Sequence, residues 1–228
     1  MDNKIRLINQ QIGGKAADLL YVFRQFQTKE YFHSILTAYH ALTLCEKLGQ
    51  VDIRDYIVLG ALFHDIGKLI IPDEILNKKG PLDSDERFVI ELHPNDGVEV
   101  LKENGIWNNF VLEIVGGHHE LLDGTGYPIH KEFLSLHVHI VTIADIYEAL
   151  TSARSYKSAY THQEARLILD REAAEGKLCQ AIVEQMTEDV YLTENSKKII
   201  VQTVDEHLLT KYYERHDKYN LIRSLMSA

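Results

Sequence analysis

The sequence predicts an all-α protein, a single helical bundle domain, from three observations. Apolar residues recur at helical spacing through most of the chain, as at Leu36, Tyr39 and Leu42. No segment alternates apolar and polar residues as a half-buried strand does. All four prolines lie between residues 72 and 128, so the long segments on either side lack the residue that most often breaks a helix.

The first predicted helices are bounded by residues that favour helix ends. An apolar face predicts a helix from about Thr28 to Leu48, and Gly49 follows it as a typical C-terminal stop. Asp52 and Asp55 then favour a new helix start, since acidic side chains stabilise the first turn. This second helix is expected from Ile53 to about Phe63.

Two capping boxes predict the starts of further helices. In such a box the first side chain accepts from the third helical N–H, and the residue at that third position bonds back. Asp83 with Glu86 precedes one apolar segment, and Thr161 with Glu164 precedes another. Gly176 is the expected stop of the second of these helices.

The chain is expected to divide into three parts. Residues 1–27 form an N-terminal helical extension, and residues 28–190 form the core. The segment from Thr193 to Ala228 is charged and rich in tyrosine, with apolar residues at helical spacing. We therefore expect residues 191–228 to be a C-terminal helical segment packed on the core.

Composition excludes several classes of protein. With 45% hydrophobic and 25% charged residues in a chain of 228, a folded globular domain is expected. The formal net charge of −10 argues against polymeric nucleic acid as a partner, because that binding depends on neutralising phosphates. No stretch is long and apolar enough for membrane insertion. Two cysteines and no apparent signal peptide favour a cytoplasmic location.

Histidine is unusually frequent, with 12 residues, and part of the histidine and aspartate content recurs at regular intervals. Successive positions are 25 to 31 residues apart, about one helix and one loop. Each would therefore come from a different helix, which is how bundles build metal sites. Five imidazoles and two carboxylates suffice for two divalent ions, and this donor set suits iron, manganese or zinc. The set is His33, His64, Asp65, His93, His118, His119 and Asp145.

Sequence context separates the His-Asp dipeptide at residues 64–65 from the one at residues 216–217. The first follows an apolar run, Ile57 to Phe63, and precedes Lys68. Ionisable groups there are costly to bury unless they are paired or bind metal. The second dipeptide is expected at the surface. The histidines expected to be ordinary surface or core residues are His40, His130, His137, His139, His162, His207 and His216.

Three segments resemble a known family. HDIGK, from His64 to Lys68, resembles the core motif of the HD phosphohydrolase superfamily. HHELLDGTGYP, from His118 to Pro128, and ADIYEALTSARSYK, from Ala144 to Lys157, resemble signatures of its HD-GYP subgroup. The resemblance covers about residues 33–183. It implies a helical bundle of HD phosphohydrolase type, a centre of two or three metal ions, and hydrolysis of cyclic di-GMP in bacterial second-messenger signalling.

The resemblance also implies roles for individual residues. The whole histidine and aspartate set would bind metal, with Asp65 bridging two ions. Lys68 resembles the family's lysine that faces the scissile phosphate, so Asp65 and Lys68 are the expected catalytic residues. Tyr127, Arg154 and Lys157 resemble its substrate-binding positions.

One departure from the family pattern affects the expected metal content and product. Members with a third metal carry a glutamate four residues before the first ligand histidine, where this chain has Lys29. Glu30 lies only three residues before His33, and that spacing turns it differently around the helix. We therefore expect two divalent ions, iron or manganese, without a third. The expected product is the linear dinucleotide pGpG.

Two other functions stay open on the sequence alone. An HD hydrolase could act on another nucleotide such as cyclic GMP-AMP, since pocket contacts decide that choice. A catalytically silent nucleotide-binding or interaction module is the second alternative. Besides the cyclic dinucleotide, the partners to consider are a second copy of the chain, as a homodimer, and a separate regulatory protein.

Overall fold

The computed structural model describes residues 2–131, 133–153 and 158–226, with side chains described up to residue 217. Within these residues the chain forms helices and short 3-10 turns and no strand. The helices are α1 (Asn3–Gln11), α2 (Gly14–Phe26), α3 (Thr28–Lys47), α4 (Arg54–Phe63), α5 (Asp73–Leu76), α6 (Ser84–Glu91), α7 (His93–Glu103), α8 (Asn109–Gly117), α9 (Leu136–Thr151), α10 (His162–Ala174), α11 (Gln180–Val183) and α12 (Glu194–Met226). The 3-10 turns are Val51–Ile53, Ile66–Leu69 and Glu188–Val190. The predicted all-α class is confirmed.

Local sequence signals located the helix ends closely. The helix expected from Thr28 to Leu48 is α3, and Gly49 follows it with φ of 68°. Both predicted capping boxes form, with the reciprocal hydrogen bonds present at the starts of α6 and α10. One start differs by a residue. A 3-10 turn occupies Val51–Ile53, so α4 begins at Arg54 rather than Ile53.

The centre of the bundle consists of α3, α4, α8 and α9. Helix α3 packs against α4 and α9, and α4 packs against α8. Fully buried apolar side chains join them, such as Leu42 on α3, Ile57 on α4, Val115 on α8 and Ile143 on α9. Burying one such side chain contributes roughly 1.5–3 kcal/mol. These helices therefore hold the residues between and after them in a fixed arrangement.

A close backbone approach brings the turn after α4 against the start of α7. A Cβ atom added at Gly67 would lie 2.0 Å from the carbonyl oxygen of His93. Only glycine allows this contact. The contact places residues 64–65 next to His93, although they are far apart in the sequence.

Helix α12 packs against the first three helices of the chain. It packs against α1, α2 and α3 and buries Ile200, Val204 and Leu208. The division into an extension, a core and a C-terminal segment stays a prediction, although all three parts contribute to one hydrophobic cluster. Among the described residues, no helix combines the length and the apolarity needed to cross a membrane.

Candidate metal centre

Helices from across the chain bring the predicted histidine and aspartate set to one place. Most members lie at helix ends, where α4 and α8 finish and α7 begins, and the others lie within α3 and α9. Ligand atoms of all seven residues fall into three overlapping groups, with separations of at most 4.8 Å within each group. The groups are Asp65, His93, His118 and His119; His33, His64 and Asp65; and His64, His118 and Asp145.

Asp65 is shared by two of these groups, and its two oxygen atoms face different partners. Oδ1 lies 3.2 Å from Nε2 of His93 and 3.8 Å from Nε2 of His118. Oδ2 lies 3.3 Å from Nε2 of His64 and 4.0 Å from Nε2 of His33. A carboxylate placed in this way is suited to bridge two cations.

Asp145 completes the side of the centre that contains His33. Its Oδ1 atom lies 2.8 Å from Nε2 of His33 and 3.8 Å from Nε2 of His64. Both aspartates are almost completely buried. A buried carboxylate is costly unless it is paired or coordinates a metal.

The ring orientations fit metal binding. In His64, His93 and His118, the Nδ1 atom bonds the backbone carbonyl oxygen three residues earlier, at 2.8, 2.8 and 2.9 Å. That bond places the proton on Nδ1 and leaves the Nε2 lone pair facing the cluster. Nε2 of His64 and Oδ1 of Asp65 are buried and have no hydrogen-bond partner among the described residues. These donor atoms therefore fit one or more divalent ions.

Electrostatics favour the protonation states that a metal requires at Asp65, His118 and His119. Burial opposes ionisation of Asp65, but Lys68 and the facing histidines outweigh it and hold the pKa of this carboxyl well below its usual range. Burial lowers the pKa of His118 well below its usual value and that of His119 to about 3. Both of these imidazoles are therefore neutral near pH 7, as metal ligands must be.

Comparison with known proteins decides the family. The model of the HD domain family matches residues 19–181, from within α2 into α11. The chain belongs to the HD domain family. The predicted family is thereby confirmed, and the match contains the entire predicted metal-binding set.

Curated relatives of this HD domain include phosphodiesterases for two cyclic dinucleotides. A cyclic di-GMP phosphodiesterase of Pseudomonas aeruginosa is 36% identical over 141 residues, which cover 59% of this chain and 33% of the relative. A 3′3′-cGAMP-specific phosphodiesterase of Vibrio cholerae is 37% identical over 149 residues, which cover 64% of this chain and 34% of the relative. The chain spans about one third of the length of these relatives.

A solved structure shares the fold. The HD domain of the phosphodiesterase PgpH of L. monocytogenes, in complex with cyclic di-AMP, superimposes with a TM-score of 0.55 at 22% identity. The match covers 86% of this chain and 97% of that chain. It confirms the HD-type helical bundle.

Lys68 lies against Asp65 and Glu30, and the sequence alone did not predict that it contacts both carboxylates. Its Nζ atom is 2.8 Å from Oδ2 of Asp65 and 2.9 Å from Oε2 of Glu30. The two carboxylates outweigh burial and raise the pKa of Lys68, so the ammonium group stays charged. Glu30, whose spacing from His33 turns it differently around the helix from the family's glutamate, contacts the centre through Lys68, while Lys29 is exposed.

Sequence reasoning missed Glu148, which lies three residues after Asp145 on α9. Its side chain is buried, and Oε2 accepts a hydrogen bond from Nδ1 of His33. The missed signal was the spacing, because residues three apart on a helix share a face. Glu148 lies one turn after the predicted ligand Asp145, so it was a candidate to orient His33, which contacts Asp145.

The loop after α8 is fixed beside His119. The ring of Tyr127 stacks on that of His119, with centroids 4.6 Å apart. A Cβ atom added at Gly126 would lie 2.4 Å from the carbonyl oxygen of His119. Buried Glu120 accepts from the backbone N–H groups of Ile129 and Lys131, at 2.6 and 2.9 Å. The predicted substrate-binding residue Tyr127 thus lies next to the candidate metal ligands.

Two other predicted substrate-binding residues, Arg154 and Lys157, lie outside the described residues. The seven histidines expected to be ordinary belong to none of the three candidate groups. His216 is partly exposed and lies 3.2 Å from Asp18. The dipeptide at residues 216–217 is thus separate from the candidate metal centre, as expected.

Proposed function

We propose that this HD domain is a metal-dependent phosphodiesterase that hydrolyses cyclic di-GMP. The observation that carries the proposal is the position of Asp65, whose two oxygens face different groups of histidine nitrogens. Centres with two closely spaced metal ions serve the hydrolysis of phosphate esters. The relatives named as cyclic dinucleotide phosphodiesterases support the same substrate class.

The charge around the centre explains why cations are required for this activity. Asp65, Asp145, Glu148 and Glu30 surround it, and Lys68 already pairs with two of these carboxylates. A phosphodiester anion would be repelled by this arrangement, the more strongly because the site is buried. Divalent ions would reverse the sign of the local field and admit the substrate.

Each candidate residue has its own proposed role in catalysis. The predicted histidine and aspartate set would hold two divalent ions, iron or manganese, which when bound supply Lewis-acid activation of water and neutralise the phosphate. Asp65 fixes the two halves of the centre relative to each other. Lys68 stabilises negative charge on the phosphoryl oxygens while the 3′-oxygen leaves. Tyr127 contacts a base, and Arg154 and Lys157 hold the phosphates.

The proposed product is linear pGpG. A second cleavage would place the terminal phosphate of pGpG at the centre, and that added negative charge calls for a further cation. Lys29, which occupies the position of the third-metal glutamate in the family, is exposed. Glu30, the neighbouring carboxylate, is engaged with Lys68. Both observations favour a centre of two ions that hydrolyses only one of the two phosphodiester bonds.

Cyclic GMP-AMP is the second candidate substrate, and the 3′3′-cGAMP-specific relative favours it. Both substrates carry the same phosphodiester ring and would use the same metal centre. They differ in one base, so the choice falls to the contacts around Tyr127. We infer a cytoplasmic location, since neither cysteine is in a disulfide, and a homodimer or a separate regulatory protein as the controlling partner.

One experiment tests the activity. The protein is purified under reducing, anaerobic conditions, its iron and manganese are quantified, and cyclic di-GMP, cyclic GMP-AMP and pGpG are assayed in parallel by chromatography. We expect about two ions per chain, consumption of cyclic di-GMP, and accumulation of pGpG. Faster consumption of cyclic GMP-AMP would assign the second substrate. A protein that holds no metal and hydrolyses none of the three would be a silent module, and the proposal would fail.

A further inference from the structure

Lys197 is a buried lysine that the family motifs do not include. It lies on α12, beyond residues 19–181 that match the HD domain. Only 5% of its surface is exposed, and a buried ammonium group requires specific partners. Its Nζ atom donates to the backbone carbonyl oxygen of Thr151, to Oγ of Ser152 at 3.1 Å and to Oε1 of Glu194 at 3.1 Å.

These contacts continue from α12 to the candidate metal centre. Ser152, directly after the end of α9, donates its hydroxyl hydrogen to Oε1 of Glu148. The other oxygen of Glu148, Oε2, accepts from Nδ1 of His33. Nε2 of His33 lies 2.8 Å from Asp145 and 4.0 Å from Asp65. Three side-chain hydrogen bonds thus connect Lys197 to a predicted metal ligand.

The direction of every hydrogen bond in this series is determined by chemistry. A lysine ammonium has only donors, so Ser152 must accept from Lys197 and its hydroxyl hydrogen is free for Glu148. An ionised carboxylate only accepts, so the proton must lie on Nδ1 of His33. A divalent ion would need the lone pair of Nε2, and any proton on that atom would be released to solvent. The series therefore holds Nδ1 of His33 towards Glu148 and leaves Nε2 facing Asp145 and Asp65, where a bound ion would lie.

The ring of His33 is oriented by a residue far away in the sequence, unlike the rings of three other candidate ligands. The Nδ1 atoms of His64, His93 and His118 bond backbone carbonyl oxygens within their own segments. Glu148, the partner of His33, is 115 residues away in sequence. Loss of an outer partner typically lowers metal affinity about 10- to 100-fold.

We propose that Lys197, acting through Ser152 and Glu148, is a positioning residue for His33 and sets the affinity of the metal site that contains His33, His64 and Asp65. This inference rests on the proposed metal-dependent function, and it adds α12 to the parts of the chain that determine metal content. The second group, Asp65 with His93, His118 and His119, meets the series only through Asp65, which both groups share.

The test titrates metal-free protein with Mn2+ and resolves the two stepwise affinities by competition with a chelator. Lys197→Met is expected to weaken one of the two Mn2+ sites about tenfold and to leave the other within about twofold. Ser152→Ala is expected to weaken the same site while the contact of Lys197 with Thr151 remains. Lys198→Met is the matched control, because Lys198 is exposed on the same helix, and it should bind as the wild type does.

The outcomes separate this inference from the proposed function. Thermal unfolding of the metal-free variants detects a purely structural role of Lys197 as a helix-end partner. A lower melting temperature for Lys197→Met, with both Mn2+ affinities unchanged in it and in Ser152→Ala, would overturn the positioning role. If Lys197→Met does not fold, the affinity of Ser152→Ala decides alone. Wild-type protein that binds no Mn2+ would overturn the proposed function itself.

Discussion

The histidines of the centre differ in how the fold orients their rings. His64, His93 and His118 use a backbone carbonyl oxygen three residues earlier, so the local chain orients each ring. His33 lies inside α3, where the carbonyl groups are occupied by the helix, and uses the side chain of Glu148 instead. The difference shows that one half of the centre is built locally, while the other depends on contacts between distant helices.

Asp65 joins the two halves, so its removal should have the largest effect. In Asp65→Ala, both groups lose a shared ligand and Lys68 loses one of its carboxylate partners. We expect the metal content to fall below one ion per chain and turnover to fall by a factor on the order of 10³ or more. Metal analysis and the cyclic di-GMP assay measure both. His216→Ala is the control in the other His-Asp dipeptide, and equal losses in the two variants would show that the wrong dipeptide has been assigned.

Glu148→Gln separates the two halves directly. The amide keeps the size of the side chain but loses the charge that holds Nδ1–H of His33. We expect one Mn2+ affinity to fall about 10- to 100-fold while the other is retained. Glu113→Gln provides the control, since Glu113 pairs with His137 outside the centre. Equal weakening of both sites would mean that the two halves are not oriented independently.

His40 provides a comparison with His33 within α3. It is buried two turns later, and neither of its ring nitrogens has a hydrogen-bond partner in the part of the chain that the structure describes. Burial lowers the pKa of His40 to about 4, whereas an unfolded histidine titrates near 6.5. The unfolded state therefore binds more protons as the pH falls from 6.5 towards 4, and stability is lost over that interval. At pH 5 this loss is about 2 kcal/mol.

Urea unfolding of wild type and His40→Leu at pH 7.5 and pH 5.0 measures this contribution. Other histidines titrate in both proteins, so the informative quantity is the difference between their two pH dependences. We expect the wild type to lose about 2 kcal/mol more than His40→Leu on acidification. Identical losses of unfolding free energy in the two proteins would show that folded His40 takes up a proton by pH 5.0 as readily as unfolded His40 does.

Glu30→Gln should give the smallest effect. It leaves the candidate metal ligands intact and frees Lys68 from one carboxylate partner, so the lysine is more available to a substrate phosphate. Because this pair is partly exposed, we expect only a modest gain, a rise in kcat/KM for cyclic di-GMP of about two- to fivefold. Steady-state kinetics measure kcat and KM separately. Lys29→Gln, on the same turn of α3, is the control. A rise in KM would indicate that Glu30 itself helps to hold the substrate.

The candidate ligand set was predictable because its spacing repeats the length of one helix and one loop, and because the HD motif contains two of its members, His64 and Asp65. Glu148, Ser152 and Lys197 were not recognised as a series. Glu148 and Ser152 lie in a segment that the sequence assigned to the family signature, but Lys197 lies on a separate helix with no motif. A lysine in a charged helix is usually exposed, although Lys197 lies three and seven residues before Ile200 and Val204 and so shares the buried face of α12.

The sequence by itself determined the helices, their caps and the identity of the candidate ligands, because these depend on interactions within one or two turns and on residue chemistry. Only the tertiary structure decided that Asp65 lies between two groups of histidines, that Lys68 is shared with Glu30, and that Lys197 reaches His33 through two other side chains. The physical reason is that such contacts depend on how α3, α4, α9 and α12 pack. That packing results from the whole hydrophobic core rather than from any single segment.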